Sequence, residues 1–256
     1  MNKLLGVFVA LVFLAGFGVA QAETLKLRIG TEAAYPPFNA RNAAGKLEGF
    51  DIDIAKALCD RIQAECEFVV QDWEGLIPAL LTNKIDAIVS SMSITDERRK
   101  VVDFTNKYYK TPARFVAPTS SGIKDVSPAA LAGRTLGAQA STIHALFLQN
   151  QYKDSEIKLY GSQDALLLDL IAGRIDAAFL QSTSVSDWLT STDDGKCCEM
   201  VGEPMDDPAS FGLGAGIAIR KNSDDLRETL NKAIDDIRDD GTYEKINGKY
   251  FPFSIY

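Results

Sequence analysis

Histidine is almost missing from this chain of 256 residues, which has a single one, His144. With no paired CxxC spacing either, the sequence holds nothing from which to build a zinc site, and no metal or cofactor is expected. No nucleophile with a neighbouring base is evident, so no catalytic residue is assigned and an enzyme is not expected. Positive charge is scarce as well. Lysine and arginine number 27 against 35 aspartate and glutamate, a net charge of −8, which argues against nucleic acid or anionic lipid as the partner. Low-complexity segments and long linkers are absent, and only one long apolar run exists.

That run is at the start. Met1 to Ala22 consists of one lysine, an apolar stretch from Leu4 to Val19 and the small-residue ending Ala20-Gln21-Ala22. This is the pattern of a secretory leader, too short for a membrane anchor, with cleavage expected before Glu23. Residues 1–22 are therefore set aside, and losing Lys3 takes the charge from −8 to −9. In an exported protein the four cysteines are expected paired rather than free. Cys59 and Cys66 stand seven apart, between the end of a helical pattern and the start of a strand-like one, and a helix-to-strand staple fits that spacing. Cys197 and Cys198 are adjacent; a vicinal disulfide, an intermolecular bond and two free thiols all stay open.

Strand-like and helix-like segments alternate. "LKLRIGT", "CEFVV" and "KIDAIVS" suggest strands, "DIDIAKALCDRI" and "WEGLIPALLTN" helices, so the chain is α/β with mostly parallel pairing. Near the C-terminus, "DDLRETLNKAIDDIRDD" suggests an amphipathic surface helix. An internal repeat is more informative. "LIPALLTNKIDAIVSS" (76–91) and "LLLDLIAGRIDAAFLQ" (166–181) share leucines, a basic residue and Ile-Asp-Ala at a constant offset. A weaker echo pairs "RIGTEAAY" (28–35) with "TLGAQAST" (135–142). Two lobes of similar build follow. Ligands of open α/β sheets lie beyond the carboxyl ends of strands. The equivalent ends here are Glu32 to Tyr35, Ser90 to Ser93, Gln139 to Thr142 (with Ser141 between) and Gln181. If the lobes face each other these residues meet in one cleft, where hydroxyls bind a small polar ligand and Arg98 offers a planar fork for a carboxylate.

The stretches "GFDIDIAKALC", "SSMSITDERR", "GRIDAAF" and "DGTYEKINGKYF" closely resemble the periplasmic amino-acid-binding proteins of ABC importers, in the branch that binds histidine, lysine, arginine and ornithine. The resemblance covers essentially the whole mature chain. It implies a periplasmic location, a membrane permease as partner and a type II two-lobed fold with a two-segment hinge near Tyr109–Phe115 and Phe211–Gly216. Lobe 1 would comprise 23–111 and 214–256, and lobe 2 residues 112–213. It further implies that Arg98 holds the ligand α-carboxylate, helped by Thr142 and the Ser93 amide. Ser91 and Ser93 would accept from the α-ammonium, Tyr35 and Trp73 sandwich the side chain, and Glu32 and Ser90 meet its cationic end. Cys59 and Cys66 match the family disulfide.

One position departs. Where the family grips the α-ammonium with an aspartate of the second lobe, this chain has Gln181. With Arg98 and Glu32 alone the cleft charge sums to zero, which brings neutral amino acids and opine-like ligands into view beside the basic ones. Two other functions use the same scaffold, an exported dehydratase and a sensory module that presents its ligand to a receptor. A monomer is expected, and His144 is read as structural or exposed.

Overall fold

The computed structural model describes residues 24–256; the leader reading lies outside them. The chain first lays down β1 (Lys26–Thr31), a small ribbon of β2 (Ala34–Tyr35), β3 (Asn39–Arg41) and β4 (Leu47–Glu48), then α1 (Phe50–Arg61) and β5 (Glu65–Val70). A 3-10 turn at Trp73–Gly75 leads into α2 (Leu76–Leu81), followed by β6 (Ala87–Ile88), α3 (Asp96–Arg99) and β7 (Asp103–Tyr109). It then crosses over to β8 (Ala113–Pro118), β9 (Thr135–Gln139), α4 (Ile143–Gln151), β10 (Glu156–Tyr160), α5 (Gln163–Ile171), β11 (Ala177–Gln181), α6 (Ser182–Ser191) and β12 (Cys198–Met205). After α7 (Pro208–Phe211) it returns as β13 (Ala215–Ile219), α8 (Asp224–Asp239) and α9 (Thr242–Tyr250).

Two five-stranded sheets result, ordered β5-β1-β6-β13-β7 and β10-β9-β11-β8-β12. In each, four strands run the same way and one, β13 or β8, is reversed between two of them, so two neighbouring pairs are parallel and two antiparallel. The expected parallel pairing therefore describes only half of each sheet. The antiparallel strands include the two that carry the chain between the lobes, β8 and β13, which enter their sheets from the opposite end.

The repeat has a packing cause. In the first sheet Gly30 pairs with Ile88, and in the second Gly137 pairs with Ala178, the position equivalent to Ile88 in the repeat. A Cβ on Gly30 would stand 2.4 Å from Ile85 and 3.3 Å from Leu76; on Gly137 it would stand 2.5 Å from Leu166 and 2.7 Å from Ile175. The leucines and isoleucines of the two repeats thus fold onto bare backbone, each helix seated directly on β1 or its counterpart β9. The repeated aspartate also has one task twice. Asp86 Oδ2 accepts from the Arg28 amide at 3.0 Å, and Asp176 Oδ2 from the Thr135 amide at 2.8 Å, so each pins the start of the neighbouring strand.

The lobes keep separate cores. Ile29, Leu58, Val89, Ile217 and Ile234 share one, the last being on the apolar face of α8; Phe115, Leu136, Leu148 and Phe179 share another. Cys59 and Cys66 are joined, Cα to Cα 6.2 Å, stapling α1 to β5. Cys197 and Cys198 form a vicinal disulfide, which decides among the three states open from sequence.

Candidate functional site

The carboxyl ends of β1, β6, β9 and β11 converge on one cleft of about 510 Å³, its mouth included. Its walls contain ten of the eleven residues expected from sequence: Glu32, Tyr35, Trp73, Ser90, Ser91, Ser93, Arg98, Gln139, Thr142 and Gln181. Ser141 stands apart. It is exposed, its hydroxyl donates to Glu74 at 2.8 Å, and its carbonyl accepts from Trp73 Nε1 at 3.3 Å and from Arg98 at 3.2 Å. It therefore ties the lobes together at the edge of the cleft rather than lining it.

Three of the strand-end loops carry one non-glycine residue each in the left-handed region: Ala33 (φ 60°), Ser91 (φ 54°) and Ser141 (φ 58°). Each costs on the order of 1–2 kcal/mol against ordinary backbone. Such strain persists where surrounding bonds over-determine the loop. At Ser91 the amide donates to Tyr108 Oη at 3.0 Å and the side-chain hydroxyl to Asp51 Oδ2 at 2.8 Å.

Positive charge sits at one end of the cleft. Arg98 projects from the single turn of α3, which Thr95 caps by accepting from the Arg98 amide. Its guanidinium donates to the Ser93 carbonyl at 2.9 Å and to Ser141 across the cleft, and lies 5.3 Å from the Trp73 ring. Both hydrogen-bond partners are neutral, so the cation keeps its charge and three of its five N–H donors for something else. Burial draws its pKa down to about 10, still far above neutrality. Thr142 caps α4, accepting from the Ala145 amide while donating its proton to the Gln139 carbonyl. Its hydroxyl proton is therefore already committed within the protein.

Negative charge sits at the other end. Glu32 is 9% exposed and accepts from Gln139 Nε2 of the second lobe at 2.6 Å; its amide donates to Ser90 Oγ at 3.0 Å. Burial raises its carboxyl to about 7, against the opposing pull of the Gln139 bond.

Gln181 spans the gap between the charged ends. Its Oε1 accepts from Tyr35 Oη at 3.3 Å, while Nε2 donates to Tyr109 Oη at 3.2 Å and Thr183 Oγ1 at 3.1 Å. Both amide protons are committed within the protein, and both ends of the amide reach the first lobe, the carbonyl at Tyr35 and the nitrogen at Tyr109.

The cleft also contains residues that strand-end reasoning passes over. His144 lines it, half-buried against Phe179, and burial together with Arg98 takes its pKa down to about 3, so it is neutral. It was expected to be structural or exposed; its place in the first turn of α4, two residues after Thr142, was the available signal. Gln163, Leu166, Phe179 and Leu180 complete the second-lobe wall. Beneath Ser91, the fully buried Asp51 was legible only as part of a helix start.

Two lobes of like topology, joined by two crossings and closing on a polar cleft with a free guanidinium, define a solute-binding protein. The chain belongs to the bacterial extracellular solute-binding proteins, family 3, whose model matches residues 27–253. It is 44% identical over 232 residues to an L-arginine-binding protein of Pseudomonas aeruginosa, covering 90% of this chain and 89% of that one. It is 42% identical to a histidine-binding periplasmic protein of Salmonella typhimurium, covering 100% and 99%. Among solved structures it is similar to a periplasmic binding protein of Salmonella typhimurium described for high arginine specificity. That likeness has a TM-score of 0.82 at 32% identity and covers 89% of this chain and all of that one.

Proposed function

We propose that this protein is the periplasmic solute-binding component of an ABC importer that captures an L-amino acid with a basic side chain. The observation that carries the reading is the separation of charge in the cleft, with Arg98 partnered only by neutral groups at one end and buried Glu32 at the other. Relatives named for binding arginine and, in the periplasm, histidine support it. Arg98, with the amides of Ser93 and Thr142, takes the α-carboxylate bidentately. Ser91 and Ser93 accept from the α-ammonium. Tyr35 and Trp73 flank the alkyl stem, and Glu32 with Ser90 receives the distal cation.

Lobe 1 (23–111 and 214–256) and lobe 2 (112–213) close over the ligand, with Gln139, Ser141 and Gln181 as the second-lobe half of the clasp. The closed monomer then docks on its membrane permease, and export uses a cleaved leader. An opine is disfavoured by one observation: the Gln181 amide protons that would meet its second carboxylate are held by Tyr109 and Thr183. Catalysis is disfavoured because, among the described residues, Glu32 is the only acid lining the cleft, and His144, held neutral by burial and Arg98, cannot serve as its acid partner.

A thermal-shift and calorimetry panel of arginine, lysine, ornithine, histidine, glutamine and octopine tests the reading, since binding to the folded state raises its melting temperature. Basic amino acids should raise it and bind tightly. A response to glutamine or octopine alone would contradict the proposal.

A further inference from the structure

With glutamine rather than aspartate at position 181, the α-ammonium of a bound amino acid needs its counter-charge from elsewhere. We infer that Asp51, hidden behind Ser91, is the positioning residue that makes Ser91 an obligate acceptor and supplies that charge through it. The inference rests on the amino-acid reading above.

Asp51 stands in the first turn of α1 and is wholly buried. Three donors converge on its carboxylate: Tyr108 Oη on Oδ1 at 2.8 Å, and on Oδ2 the Ser91 hydroxyl at 2.8 Å and Asn39 Nδ2 at 2.7 Å. The circuit closes on both strand-end loops. Asn39 Oδ1 accepts from the Ala33 amide at 2.9 Å, and Tyr108 Oη accepts from the Ser91 amide. Asp51 thus fixes Ser91 twice, by its hydroxyl and, through Tyr108, by its left-handed backbone.

A hydroxyl has one proton and two lone pairs. Once the proton of Ser91 goes to Asp51, only lone pairs face the cleft, and they suit an ammonium and repel a ligand carbonyl or carboxylate. Behind them lies a full negative charge, one hydroxyl away in a dry interior where charges are weakly screened. Counting Asp51, the formal charge around the ligand is one positive (Arg98) and two negative (Glu32 and Asp51). That sum matches a ligand of net charge plus one, which Arg98 and Glu32 alone do not.

The test compares arginine with 5-guanidinopentanoate, the same molecule without its α-amino group, titrated calorimetrically against wild type, Asp51→Asn, Ser91→Ala and the double variant. Asp51→Asn should weaken arginine about tenfold or more while changing the des-amino analogue by less than about threefold, tenfold corresponding to about 1.4 kcal/mol. Ser91→Ala should show the same selectivity, and the double variant should lose little beyond Ser91→Ala, because the two act as one unit. Equal losses for both ligands, or full additivity, would overturn the assignment, since a merely structural role moves both ligands alike. If Asp51→Asn does not fold, Ser91→Ala decides: an unchanged preference for arginine over its analogue refutes the inference. Failure of wild type to bind any basic amino acid would overturn the functional reading, and this inference with it.

Discussion

Binding of a basic amino acid should expel a proton from Glu32, and affinity should therefore rise with pH. In the empty cleft, burial lifts this carboxyl from its ordinary 4.5 to about 7. A guanidinium or ammonium placed against it reverses the effect, and an opposite charge at contact lowers a carboxyl by about 1–3 pKa units. Taking about two, the bound carboxyl titrates near 5. Affinity for arginine then climbs by up to about tenfold per pH unit between about 5 and 7, nearly a hundredfold in all, and is flat above. Calorimetry in two buffers of different ionisation enthalpy should register about half a proton released near pH 7, from a carboxyl half-protonated before binding. Glu32→Gln should abolish that release and flatten the profile above about pH 6, below which Asp51, raised to about 6 by burial, also titrates. The same proton has a sign for stability. The empty folded protein holds it more tightly than the unfolded chain, so the contribution is fully present below about pH 4.5 and lost as pH rises through about 7. Ionised Glu32 then costs the ligand-free protein on the order of 3 kcal/mol, and Glu32→Gln should raise its melting temperature at about pH 8 more than at about pH 5. An arginine affinity independent of pH, or an unaltered slope in Glu32→Gln, would refute the reasoning.

Arg98→Ala removes the bidentate partner of the α-carboxylate and should cost about 2–5 kcal/mol of binding while leaving the fold intact; near-normal affinity by calorimetry would sink the site assignment. Mass spectrometry of unreduced protein should find Cys59 linked to Cys66 and Cys197 to Cys198, with no cysteine open to alkylation. Gln181→Asp places an acceptor carboxylate where Tyr35, Tyr109 and Thr183 can all donate, and should tighten arginine about tenfold through a charge-assisted bond while weakening octopine. Equal change for both ligands would show that Gln181 does not set ligand class. Gly137→Ala drives a Cβ to 2.5 Å from Leu166 and should destabilise by about 1–3 kcal/mol in urea titration, whereas Gly248→Ala, exposed within α9 with open space for its Cβ, should stabilise by about 0.5–1 kcal/mol.

How much of this was legible beforehand follows from what each feature depends on. The two-lobed build could be read because the repeat is a local packing rule written twice: a leucine helix, an aspartate that pins the next strand and a glycine that admits the helix. Strand-end loops could be located for the same reason, and with them eight of the cleft residues, Arg98 following from its planar fork and Trp73 from the family resemblance. The pairing of Cys59 with Cys66 was likewise short-range, a helix end against the strand that follows it.

What the sequence left open depends on groups distant in the chain. Parallel pairing was over-expected, since the direction of β8 and β13 is set by the crossings and not by any apolar pattern. Ser141 has the residue type of a ligand contact, but its left-handed backbone turns its carbonyl toward Trp73 and Arg98 of the other lobe. Gln181 read as a free donor until Tyr109 and Thr183 were found holding its amide. Asp51 is the sharpest case. In the chain it is one acid at the head of an amphipathic helix, a position the helix dipole alone would justify. Only when α1, β3, β7 and the loop after β6 are brought together does it become the buried centre of three hydrogen bonds beneath the cleft. The sequence by itself made the two-lobed α/β build readable, because periodicity and repeats are local. Which donors and charges remain free for a ligand was decided by tertiary structure, because a hydrogen bond can be made only once and its partner lies far away along the chain.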